Sequence, residues 1–207
     1  MTSLIKAYNE HYMNCYLNNL FSIVCSKNSE LKLLSYNNDF NYTIQSHNKF
    51  RYLQFDYSDN FYLLIYKLIF GNNAFTQFNI FSLPLGVESK VKSENLNEIN
   101  MHLSNGNVVF LLIDLYDLNN GNIFYKKMHR NHYLLIIGYD YISKEYITLD
   151  EGNKGYCEYR ICIDDIKILM NNAEKKVYYC ALSSVGNCLP KDIVSIEKIK
   201  NNAIRIK

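Results

Sequence analysis

Two prolines, eight glycines and no tryptophan stand in a chain of 207 residues, and no internal repeat or low-complexity linker interrupts it. So few breaks argue against a string of small modules. The length supports one domain, 1–189, with a basic tail or helix over 190–207. No window approaches 18 uninterrupted apolar residues, so no membrane-spanning helix is expected. The opening MTSLIKAYNEHYMN lacks a charged-then-apolar leader, which makes the cytoplasm the expected location. A formal net charge of +2, with no long basic run or stripe, gives no reason to expect a nucleic-acid or membrane partner. Six cysteines contain no Cys-x-x-Cys pair, so no zinc site or other metal is expected. In a chain of this length they read as reduced thiols rather than a disulfide framework. What is present is ordinary for a globular core: 48% hydrophobic and 20% charged residues, with nineteen tyrosines.

The two halves differ in pattern. In 14–25 the residues Leu17, Leu20, Phe21 and Val24 fall at i, i+3, i+4 and i+7, which predicts a helix with one apolar stripe and Asn14 as its N-cap. Cys15, Asn19 and Ser22 project away from that stripe. Residues 26–58 read as loops with one short strand, 59–70 as a helix and 75–83 as a strand ended by Pro84. Asn95 with Glu98 forms a capping-box pattern for a helix to 103, stopped by Asn105-Gly106. The run VVFLLIDL, 108–115, predicts a strand buried on both faces. Strands follow over 132–141, 146–150, 156–163 and 177–182, with a helix over 165–171 capped by Asp164 and a helical or frayed segment at 193–206. The expected class is α+β, a helical first half and an antiparallel sheet after it.

The chemistry gathers at HRNHYLLIIGYDYISKEYITLDEG, 129–152. In an antiparallel pair the start of one strand lies beside the end of the next, so His132 and Asp150 are expected at the same end of a hairpin. There the carboxylate would fix the tautomer and aim of the imidazole. His129 competes for the base role, but His132 abuts the apolar strand, where packing holds a ring still. Glu151 competes with Asp150, but strand alternation puts Thr148 and Asp150 on one face. The best nucleophile is Cys15, at a helix start. A free thiol has a pKa near 8.5, and a helix N-terminus with a nearby imidazolium lowers it to about 3.5–7.5 in activated sites. The backbone N–H of Cys15 is a first oxyanion donor, with the side chains of Asn9 or His11 as candidates for a second. Asp114, a carboxylate in an apolar strand, needs a partner or a shifted pKa and is a supporting or substrate-facing candidate.

Cysteine, histidine and aspartate in that order resemble the papain-like superfamily. The blocks EHYMNCYLNNLFSIV, GNVVFLLIDLYDL and HRNHYLLIIGYD with ITLDEG are similar to the N-terminal domain of butirosin biosynthesis protein H and its relatives, over about residues 9–172. The resemblance implies a papain-like fold, with the nucleophile's helix packed on a C-terminal antiparallel sheet. It implies Cys15 as nucleophile, His132 as base and Asp150 as orienting acid. Asn9 departs from the glutamine that papain-like enzymes carry at that spacing. The implied activity is a cysteine acyltransferase with no bound cofactor. It would take an acyl group from a phosphopantetheine thioester on an acyl or peptidyl carrier protein and deliver it to a small amine. Amide formation in closthioamide-type nonribosomal antibiotic assembly is such a step. A peptidase or amidase with the same triad, and a non-catalytic papain-like binding module, are the alternatives.

Overall fold

In the computed structural model, residues 5–9, 15–36, 40–47, 50–57, 65, 88–90, 96–172 and 176–181 are described. The elements are α1 (Cys15–Lys27), a 3₁₀ segment (Ser29–Tyr36), β1 (Phe40–His47), β2 (Phe50–Tyr57), β3 (Glu88–Lys90), α2 (Leu96–Ser104), β4 (Asn107–Asp114), β5 (Asn131–Asp140), β6 (Glu145–Gly152), β7 (Gly155–Cys162), α3 (Ile163–Asn172) and β8 (Lys176–Ala181). The α+β class expected from the sequence is observed. Six strands form one sheet in the order β3-β8-β4-β5-β6-β7, every neighbour antiparallel, and β1 and β2 form a separate hairpin.

Alternation along the central strands sorts side chains into two cores. Val108, Phe110, Leu135, Ile147, Leu149 and Tyr156 face α1 and the 3₁₀ segment. Val109, Leu111, Ile113, Leu134, Ile136, Tyr146 and Ile161 face α2 and α3. Helical layers therefore cover both faces of the sheet, which is why β4 reads as an uninterrupted apolar run and is buried from Val108 to Ile113. In β5 a bulge after Ile136 shifts the register, so that Gly138 rather than Ile137 lies opposite Ile147.

The second-half strands lie within a residue or two of their expected bounds. α2 begins at Leu96 and ends as expected at Asn105-Gly106: Gly106 takes φ +76° and its N–H donates to the Leu103 carbonyl at 3.1 Å. α3 begins at Ile163, so Asp164 sits in its first turn rather than capping it. The Asp165 N–H instead points at Cys162 Sγ, 3.4 Å away.

One first-half expectation is corrected. Residues 29–36 and 40–57 are a 3₁₀ segment and a regular hairpin, not loops with one short strand. The hairpin pairs Phe40 with Tyr57 through to His47 with Phe50; β1 alternates Phe40, Tyr42 and Ile44 with Asn41, Thr43 and Gln45, whereas the aromatics of β2 fall on both parities. The polar stripe of α1 is buried as well: Asn18, Asn19 and Ser22 have no exposure, like Leu17, Leu20, Phe21, Ile23 and Val24. The proposed N-cap Asn14, nearly all of 59–70, the strand at 75–83 and the tail at 190–207 lie outside the described residues. Among the described residues no helix is long and apolar enough to cross a membrane.

Candidate active site

His132 is the second residue of β5 and Asp150 is two residues from the end of β6, so both lie at the end of the sheet where β6 turns into β7. His132 Nε2 and Asp150 Oδ1 are 2.5 Å apart, with the histidine side chain 8% exposed and the aspartate 0%. A carboxylate so buried requires satisfied lone pairs. Asn120, in the loop between β4 and β5, donates from Nδ2 to Asp150 Oδ2 at 2.9 Å and reaches the Glu151 carbonyl at 3.2 Å. Asp150 is thus held from two sides and orients the imidazole through Nε2. Nδ1 is the ring nitrogen that would face a nucleophile.

The loop is built to hold Asn120 in place. Asn120 Oδ1 accepts from the Asn122 N–H at 3.1 Å, and Asn122 Oδ1 accepts from the Phe124 N–H at 2.9 Å. Gly152, in β6, packs so closely on this loop that a Cβ there would lie 2.5 Å from the Asn120 carbonyl oxygen and 2.5 Å from the Tyr159 hydroxyl. Tyr159 lies on the Asp150 side of β7. Burial raises its phenol pKa, and the Asp150 charge adds to the rise.

His129, the competitor, belongs to a second pair. Its Nδ1 is 2.6 Å from Asp114 Oδ2, and its ring stacks on Tyr116 with centroids 4.3 Å apart. Asp114, the last residue of β4, has the partner that its apolar surroundings demanded. Burial pushes its carboxyl up, but the Tyr116 N–H, the His129 ring and the Arg130 N–H outweigh that and hold it below the usual range. Asp114 therefore anchors the approach to β5.

Cys15 is the first residue of α1, where backbone N–H groups lack intrahelical partners. One turn on and on the same helix face, Asn19 donates to the Tyr133 carbonyl at 3.0 Å and accepts from the Tyr156 hydroxyl at 2.6 Å. The Tyr156 hydroxyl also lies 3.2 Å from Ser22 Oγ, which accepts from the Tyr8 N–H at 2.8 Å. Tyr16 packs its ring on Tyr133, centroids 5.5 Å apart. The first turn of α1 is thereby fixed against the residue that follows His132. Alternation nonetheless puts Tyr133 on the α1 side and His132, paired with Ile113, on the other. Asn131, just before His132, is exposed at the open end of β5.

Asn9 is exposed and borders a cavity of about 420 Å³ with Lys6, Cys25, Ser26 and Lys32. The Tyr8 carbonyl just before Asn9 accepts from Asn18 Nδ2 at 2.8 Å, in the first half of α1. His11 lies outside the described residues. A second cavity, of about 370 Å³, opens beside His132, with Leu115 and Phe124 as apolar wall and Arg130, Glu151 and Asn153 as polar rim. Among the described residues no cluster of His, Cys, Asp or Glu is placed to hold a metal ion. Asn120 was not anticipated; the turn-rich NNGN run in which it lies carries no mark of a partner 30 residues away. Compared with protein-family models and with curated proteins, the chain matches none.

Proposed function

We propose that the protein is a cysteine-dependent acyltransferase of papain-like fold. It takes an acyl group from a carrier-protein phosphopantetheine thioester onto Cys15 and passes it to an amine, forming an amide in nonribosomal peptide or antibiotic assembly. The observation that carries this reading is the buried His132–Asp150 pair, at the sheet end against which the helix beginning at Cys15 is pinned.

In the first half-reaction the Cys15 thiolate attacks the thioester carbonyl carbon. The carbon–sulfur bond to the carrier breaks, and the departing thiolate takes the proton held by the His132 imidazolium. The exchange replaces one thioester by another, so it is nearly balanced and needs no ATP. In the second, His132 accepts a proton from the attacking amine, the carbon–Sγ bond breaks and the Cys15 thiolate is restored with the amide as product. Asp150 keeps the ring in one tautomer and balances its positive charge. The Cys15 backbone N–H, at the positive end of α1, supports the oxyanion of each tetrahedral intermediate. The cavity beside His132 offers an apolar wall for the acyl group and a polar rim for the acceptor.

The test is intact-protein mass spectrometry after mixing the full chain with an acyl thioester. The expected result is an acyl adduct that is absent in Cys15→Ala and discharged to an amide by added amine. Full turnover by Cys15→Ala would end the proposal. Discharge to free acid alone, with amine present, would make the protein a hydrolase with the same triad.

A further inference from the structure

Beyond the cavity edge that Phe124 and Arg130 form, the loop from β4 to β5 presents an outer surface that the chemistry above does not use. The loop, residues 115–130, carries Lys126, Lys127 and Arg130 against one acidic residue, Asp117, which pairs with Lys126, in a chain whose formal net charge is only +2. Lys127, His129 and Arg130 are exposed, and beside them stand two bare apolar side chains, Ile123 (73% exposed) and Met128 (56%). The surface is held rather than loose. Lys126 takes the left-handed region at φ +54°, and its ammonium turns back to Asp117 at 2.8 Å and over the Tyr116 ring at 4.8 Å. The Arg130 guanidinium lies 5.0 Å over the Phe124 ring, and the Lys127 and Met128 N–H groups both donate to the Phe124 carbonyl. Such a positive, partly apolar and pre-ordered patch suits an acidic protein surface that carries an apolar spot of its own. Its position is the second argument: Ile123, Phe124 and Arg130 also border the cavity that holds His132, so a partner seated here can reach that cavity with a flexible arm.

We infer that residues 123–130 form the docking surface for the acidic carrier protein that delivers the acyl group. Carboxylates of the carrier meet Lys127 and Arg130, and its apolar contact rests on Ile123 and Met128. This rests on the acyl-transfer reading, and the test separates the two.

One acyl group is offered to the full chain in two forms, on a phosphopantetheinylated acyl carrier protein with an acidic recognition helix and on N-acetylcysteamine. The variant is Lys127→Glu with Met128→Glu, two exposed positions outside the cavity. Wild type is expected to favour the carrier-bound donor, with kcat/KM falling as salt is raised. The variant should lose at least tenfold in kcat/KM with the carrier and keep its rate with the small thioester. Equal use of the two donors by wild type, or an undiminished variant, would overturn the docking surface and leave acyl transfer standing. Equal loss with both donors would assign the loop to folding or to the cavity, and would likewise overturn it. Acylation by neither donor would overturn the acyl-transfer reading, and the surface with it. Wild-type binding to phosphatidylglycerol vesicles that the variant loses, with carrier kinetics unchanged, would assign the patch to a membrane instead.

Discussion

Asn19→Leu removes two hydrogen bonds at a position with no access to solvent: the donor to the Tyr133 carbonyl at 3.0 Å and the acceptor of the Tyr156 hydroxyl at 2.6 Å. A buried polar atom that loses its partner costs about 1–3 kcal/mol. Two atoms are affected here, but the Tyr156 hydroxyl still has Ser22 Oγ at 3.2 Å, so the expected destabilisation is about 2–4 kcal/mol. A total stability of about 5–15 kcal/mol tolerates that, and the variant should fold. Tyr156→Phe deprives Asn19 Oδ1 of its donor and should cost about 1–2 kcal/mol. Both substitutions cut the same bond, so the double variant should lose about 1 kcal/mol less than the sum of the two. Urea unfolding of the four proteins measures the cycle. Freeing the first turn of α1 should also change the alkylation rate of Cys15 in the native protein, read by peptide mass spectrometry. Strict additivity, or an Asn19→Leu cost below about 0.5 kcal/mol, would refute the claim that the Asn19–Tyr156 bond pins α1 to β7.

Three further outcomes follow from the same geometry. Asp150→Asn should keep the fold and lower acyl transfer by about 10³–10⁴-fold, because a neutral amide no longer enforces the productive imidazole tautomer; steady-state kinetics with circular dichroism as the folding control reads this. Gly152→Ala should cost about 1–3 kcal/mol in thermal or urea unfolding, since its Cβ meets the Asn120 carbonyl and the Tyr159 hydroxyl at 2.5 Å and the loop must move. Tyr146 is fully buried, and burial, with Tyr139 beside it, pushes its phenol up to about 12. A raised folded-state pKa favours the neutral form, so its contribution is intact below the unfolded value near 10 and is lost as pH rises towards 12. Alkaline unfolding of wild type against Tyr146→Phe should show the larger loss in wild type, the variant keeping the part that the raised Tyr159 phenol contributes.

How far the sequence can be read depends on whether the signal is local. The meeting of His132 and Asp150 follows from two strands and a short turn, because antiparallel pairing must bring those positions to one end. The need for a partner at Asp114 was equally legible, since a carboxylate ending an apolar strand requires one; that His129 supplies it, and so leaves His132 to Asp150, depends on the approach to β5. Asn120 could not be found this way. Its contact with Asp150 spans 30 residues, and nothing in a run of asparagines and glycine marks which side chain turns inward. The side of α1 on which Asn19 and Ser22 lie was legible, but not what lies against them. Helical periodicity separates apolar from polar faces, but it is blind to a polar stripe buried against tyrosine hydroxyls and strand carbonyls.

The central claim is that Cys15 is activated by His132, and the pH dependence of Cys15 alkylation by iodoacetamide tests it most directly, with wild type and His132→Gln compared peptide by peptide. Wild type should show a reactive thiolate with an apparent pKa well below the ordinary value of about 8.5 for a free thiol, returning to that value in His132→Gln. An ordinary thiol in wild type, or a profile that His132→Gln leaves unchanged, would contradict it.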